Sequence, residues 1–133
     1  MKVFLDTNVL VSAFATRGLS ADLFEMVLLE HELVTGRHVM QELDKVLRTK
    51  IRLPPARCAE ILDFLRTEAA QVVDRAPEAD CRADPDDRAI LGEALTGAAQ
   101  VFITGDAALV ALGQISAMRI LTPRRFWELL RTE

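Results

Sequence analysis

Apolar positions along this chain fall into two kinds of block. Val3-Phe4-Leu5, Leu33-Val34, Val72-Val73, Val101-Phe102-Ile103 and Met118 to Leu121 are short runs with little alternation. Between them, apolar residues recur at spacings of three and four: Val9, Leu10, Ala13 and Phe14; Leu23, Phe24, Val27 and Leu28; Val39, Leu43, Val46 and Leu47; Cys58, Ile61, Leu62 and Leu65; Ile90, Leu91, Ala94 and Leu95. The first kind predicts strands and the second predicts amphipathic helices. Punctuation supports this division. Arg17-Gly18-Leu19 breaks the first helix, and Ser20 is the expected N-cap of the second. Gly36 turns the strand over 32–35, and Pro54-Pro55 separates two helices. Residues 75–84 are polar, contain Pro77 and read as a loop. Gly105-Asp106 leads into a short helix around Leu109 and Val110, and Thr122-Pro123 supplies cap and first residue of the last helix.

Strands alternating with helices predict an α/β fold. We expect a three-layer α/β/α sandwich around a central parallel sheet of about five strands. Strands without alternation are what a sheet covered on both faces requires.

The 133 residues are expected to form one domain, 1–133, with half of them hydrophobic and few aromatic. A net charge of −4 does not advertise a nucleic-acid binder, although a local basic strip can serve on an acidic protein. Cys58 and Cys81 have no C-x-x-C partner and are expected as free thiols in a reducing cytosol. The chain starts directly on a strand pattern, with no ordered leader regions, and no apolar stretch is long enough to span a bilayer. The expected address is the cytoplasm, away from membranes.

Four carboxylates then change the picture. Asp6 ends the first apolar run and Asp106 follows the fourth, so both sit where strand gives way to helix. In open α/β sheets that carboxyl edge is where sites are built. Asp87 projects into the apolar arc of its helix, whereas Asp86 points about 100° away. Glu42 lies at the border of its arc, roughly 40° from Val46 on the wheel. Each has a plain structural explanation. Asp6 and Asp106 suit helix N-caps. Asp84, Pro85 and Asp87 suit a capping arrangement, and Glu42 suits a surface position near Lys45. Their convergence on one sheet edge is what points to chemistry. Carboxylates crowded together raise one another's pKa, and a divalent cation relieves that repulsion. An all-oxygen set suits Mg²⁺ or Mn²⁺ rather than Zn²⁺. Such an ion can activate water and stabilise charge on a phosphodiester.

These same residues resemble the PIN domain family, in particular the small single-domain toxins of toxin–antitoxin systems, similar to VapC-type ribonucleases. The resemblance rests on Val3-Phe4-Leu5-Asp6-Thr7-Asn8-Val9-Leu10-Val11-Ser12-Ala13, on Asp84-Pro85-Asp86-Asp87 with Ala94, on Phe102-Ile103-Thr104-Gly105-Asp106 with Leu109, and on Ile120-Leu121-Thr122-Pro123 with Phe126. It covers nearly the whole chain. It implies a metal-dependent endoribonuclease whose catalytic and metal-binding acids are Asp6, Glu42, Asp87 and Asp106. Thr7, Asn8 and Thr104 would orient those acids, with Asp84 as an additional supporting acid. A cognate antitoxin and a homodimer are also implied. Arg88 departs from the pattern, which has a small or amide residue beside the central acid.

For RNA phosphates the densest basic stretch is Arg48-Thr49-Lys50-Ile51-Arg52, with Arg88 as a further contact. His38, one turn before Glu42, offers a ligand pair with it, but a surface histidine of a first helical turn is the expected reading. Phe126 and Trp127 read as anchors of the last helix. A competing reading is a PIN fold kept as a binding or regulatory module without turnover; four retained acids argue against it. Phosphotransfer would want a second Asp where Asn8 stands, and a dinucleotide site would want G-x-G-x-x-G after the first strand.

Overall fold

The computed structural model describes residues Met1–Thr132. β1 (Lys2–Leu5), β2 (Glu32–Gly36), β3 (Gln71–Val73), β4 (Val101–Ile103), β5 (Gln114–Ile115) and β6 (Met118–Leu121) form one sheet in the order β3-β2-β1-β4-β6-β5. All neighbours are parallel except β5 and β6. α1 (Thr7–Ala15) and α2 (Leu19–Glu30) connect β1 to β2, and α3 (Arg37–Thr49) and α4 (Pro55–Glu68) connect β2 to β3. α5 (Pro85–Thr96) precedes β4, α6 (Ala107–Val110) follows it, and α7 (Pro123–Arg131) ends the chain. The chain steps outward from β1 to β3 and then crosses back to β4 on the other side of β1. Because parallel crossovers are right-handed as a rule, stepping in opposite directions from β1 puts helices on both faces of the sheet. This is the three-layer α/β/α arrangement.

Burial accounts for the central strands. Val3, Phe4, Leu5, Leu33, Val34, Val101, Phe102 and Ile103 are all at most 3% exposed, as strands covered on both faces must be. Phe4 and Phe102 are paired across β1 and β4, and their rings stack at 5.5 Å. Leu23, Phe24 and Val27 of α2 and Phe126 of α7 are buried in the same core. Cys58 and Cys81 are free thiols.

Two expectations are corrected. The sheet has six strands, because Gln114–Ile115 adds an antiparallel edge to β6. Two residues, one of them polar, make no apolar run. The hairpin is closed instead by Ser116 in a left-handed conformation, φ 54°. Ser20 is not the cap of α2. Gly18 holds that place at φ 147°, and its carbonyl accepts the Asp22 N–H at 3.0 Å, so the helix starts one residue ahead of the serine. Elsewhere the local signals hold. Asp84 accepts the Asp87 N–H and Thr122 accepts the Arg125 N–H, each with proline at the next position.

Candidate active site

β1 lies between β2 and β4, at the point where the strand order reverses. The crevice at the carboxyl end of such a strand is a natural place for a site. Asp6 stands there. Its backbone is still part of the ladder, donating to Ile103 O at 2.9 Å, while its carboxylate caps α1. Strand passes to helix with no linker, so the side chain has little freedom. Asp6 Oδ1 accepts the Thr7 N–H at 2.8 Å. Asp6 Oδ2 accepts from Thr104 Oγ1 at 2.7 Å and Asn8 Nδ2 at 3.1 Å.

The network continues across the sheet. Asn8 Oδ1 accepts the Gly105 N–H at 2.9 Å, and Thr104 Oγ1 accepts the Asp106 N–H at 3.0 Å. Asp106 in turn caps α6 by accepting the Ala108 N–H. A Cβ on Gly105 would stand 3.3 Å from Asn8 Oδ1, so the glycine leaves room for this bridge. Asn8 and Thr104 thereby tie the ends of β1 and β4 together around one carboxylate.

Asp6, Glu42, Asp87 and Asp106 line one cavity of about 340 Å³, together with Thr7, Asn8 and Lys50. Glu42 comes from α3 and Asp87 from the first turn of α5. The structure thus brings the four sequence-predicted acids to one place. The electrostatics show acids crowding one another. Burial lifts the Asp6 carboxyl above its ordinary range, against the hydrogen bonds from Thr104 and Thr7, and the charge of Glu42 adds to the rise. Asp87 is pushed up to about 7 by burial, by the neighbouring charges of Asp84, Asp6 and Asp106, and by its hydrogen bond with Asp84.

A divalent cation fits this donor set. The lining is oxygen-rich, and Lys50 is the cation that lines it. Thr7 also lines the cavity, and its buried hydroxyl finds no protein partner. Oxygen donors of this kind suit Mg²⁺ or Mn²⁺.

The predicted phosphate contacts divide. Lys50 is at the cavity wall. Arg48 is engaged by Asp44 on its own helix, which raises its pKa. Arg52 is exposed with φ 62° and lies outside the cavity lining. Arg88, expected beside the acids, folds back instead onto the 75–84 loop, donating to Glu78 and to the Ala83 carbonyl. Asp84 is the α5 cap and meets Asp87 through its backbone N–H.

One feature escaped the sequence reading, and a second was set aside in it. Glu93 is 4% exposed and receives the His38 N–H at 2.6 Å and the Val39 N–H at 3.1 Å, so it caps α3 from α5. On the wheel it lies about 60° outside the apolar arc, which assigns it to solvent. In fact Ile90, Leu91, Gly92, Glu93 and Ala94 are all buried, so α5 is enclosed around its whole girth here. The legible trace was glycine: a Cβ on Gly36 would sit 2.3 Å from Glu93 Cδ. The second feature is His38. Among the described residues, His38, Glu42 and Asp86 form a group whose ligand atoms lie within 4.8 Å of one another.

Comparison with known proteins gives the family and the fold. Residues 2–108 match the model of the PIN domain, and the chain belongs to the PIN domain family. Its fold is similar to that of a chain in the crystal structure of VapBC2 from Rickettsia felis bound to a DNA fragment from their promoter. That match has a TM-score of 0.67 and 15% identity, and covers 92% of this chain and 98% of the other. No curated protein sequence matches the chain. No helix among the described residues is long and apolar enough to cross a membrane.

Proposed function

We propose that this chain, as one domain over 1–133, is a Mg²⁺- or Mn²⁺-dependent endoribonuclease, and the toxin of a type II toxin–antitoxin pair. The supporting observation is the shared cavity of Asp6, Glu42, Asp87 and Asp106, in which burial and the neighbouring acids push Asp87 up to about 7. Membership of the PIN family and the VapBC2-like fold support the same reading.

The four carboxylates would hold the metal. When bound, a divalent cation supplies charge stabilisation at the scissile phosphate and a more acidic water. The chain's own residues do the rest. Asn8 and Thr104 fix the Asp6 carboxylate, so its lone pairs stay aimed at the cavity without reorganisation. Lys50, at the cavity wall, would meet a phosphate oxygen. One of the four acids would also accept a proton from the attacking water. RNA is the substrate, and a cognate antitoxin covers the site. The working protein is a homodimer in the cytoplasm.

Calorimetric titration with Mn²⁺ and an RNA cleavage assay, on wild type and Asp6→Asn together, test the reading. Wild type should bind Mn²⁺ and cleave RNA only with it, and the variant should do neither. Cleavage that survives both EDTA and Asp6→Asn would overturn the assignment. Absence of metal binding and cleavage in wild type would favour a binding module that kept the fold.

A further inference from the structure

We propose that His38, Glu42 and Asp86 form a second cation site at the edge of the acidic cavity, with mixed nitrogen and oxygen ligands. It would take Zn²⁺ or a similar transition-metal ion in preference to Mg²⁺. His38 and Glu42 are four residues apart on α3 and therefore share a face. Asp86 comes to them from the first turn of α5, with its Oδ1 3.3 Å from His38 Nε2. One ligand atom from each of the three residues lies within 4.8 Å of the other two. Donors around one small divalent ion, each roughly 2.0–2.2 Å from it, fall inside such a span after small side-chain rotations.

The start of α3 is also held in place. Glu93 receives the backbone N–H of His38 itself, so the imidazole projects from a fixed point. An imidazole–carboxylate contact between side chains 38% and 76% exposed contributes little by itself. Bridging by a cation gives the three groups a common partner. An imidazole ligand suits Zn²⁺, and Mg²⁺ prefers oxygen. Glu42 lines the four-acid cavity as well, so one carboxylate would connect the two sites. The proposal concerns binding alone and stands whether or not the chain cleaves RNA.

The chain has two histidines, His31 and His38, which makes the test direct. Imidazole ¹H–¹⁵N spectra are recorded during titration with Zn²⁺, and Zn²⁺ and Mg²⁺ affinities are measured by calorimetry on wild type, His38→Ala, Asp86→Asn and Asp6→Asn. The His38 Nε2 resonance should shift on Zn²⁺ addition while His31 stays. His38→Ala and Asp86→Asn should each weaken Zn²⁺ binding by about tenfold or more, since even the groups behind a metal ligand are worth that much. Mg²⁺ binding should be unchanged in both. Asp6→Asn should keep the His38-dependent Zn²⁺ event, which separates this proposal from the fate of the nuclease reading. A His38 resonance unmoved by excess Zn²⁺, or Zn²⁺ affinity indifferent to His38→Ala, would overturn it.

Discussion

Asp6 and Glu93 are both carboxylates, each 4% exposed, and burial raises the pKa of both. Their surroundings differ in kind. Glu93 meets donors only: two backbone N–H groups at the start of α3, where the helix dipole also favours negative charge, with the neighbouring His38 lowering its pKa further. Asp6 receives three hydrogen bonds, yet it faces a cavity lined with other acids, and the charge of Glu42 works against it. A buried carboxylate surrounded by donors holds two elements together. A buried carboxylate surrounded by its own kind leaves room for a cation. Burial alone does not separate structure from chemistry; the sign of the neighbours does.

The largest expected effect on this contrast comes from Asp6→Asn. Metal-dependent cleavage should fall by on the order of 100-fold or more. Metal-free stability should stay within about 1 kcal/mol of wild type or rise, because a charge disfavoured by burial is removed. Cleavage rates and urea denaturation on the same samples check both halves. A large loss of stability would place Asp6 with Glu93 as a structural acid.

Glu93→Ala should show the reverse balance. It leaves the His38 and Val39 N–H groups without their acceptor and opens a void. A loss of about 2–4 kcal/mol is expected by denaturant unfolding. A loss under about 0.5 kcal/mol would mean that water replaces the carboxylate freely and that the contrast fails.

Asp84→Ala should cost about 1 kcal/mol as a lost N-cap. It should also bring the Asp87 carboxyl back toward the usual range, since Asp84 contributes both a charge and a hydrogen bond to the rise. Carboxyl ¹³C titration by NMR reads the change; an Asp87 titration that stays where it was would place the cause elsewhere.

The smallest effect is a slope. In the folded protein Asp87 holds its proton up to about 7, against an ordinary value of 3.8. Between those limits the folded state binds protons that the unfolded chain has released. The stability contributed by the protonated form is therefore fully present below about pH 4 and is lost as pH rises through about 7. Metal-free stability should decline over that window, and Asp87→Asn should flatten the decline. Saturating Mn²⁺ should also flatten it, because the cation favours the ionised form. Thermal midpoints from pH 4 to 8, with and without Mn²⁺, measure this.

The helix starts show how much was readable in advance. Asp84-Pro85 and Thr122-Pro123 announce caps that the structure contains, because a cap and its N–H partner are three residues apart and need no tertiary help. Ser20 announced a cap that does not exist, because Gly18 reaches a backbone conformation the serine does not need to supply. The basic stretch is a similar case. Arg48, Lys50 and Arg52 are equivalent in the sequence. Only the path of the chain past the end of α3 puts Lys50 on the cavity and leaves Arg48 to Asp44.

The sequence by itself determined five of the six strands, the helices, and the placement of Asp6 and Asp106 at strand ends. Periodic burial and capping are local, and each is written within a dozen residues. The tertiary structure decided which distant groups meet. Thr104 bonds Asp6 across 98 positions because β4 pairs with β1, and no local pattern encodes that pairing. Sheet order brought the four acids to one cavity, enclosed Glu93 against the start of α3, and set His38 beside Asp86. Each of these rests on the approach of two elements far apart in the chain, which the packing of the whole core settles.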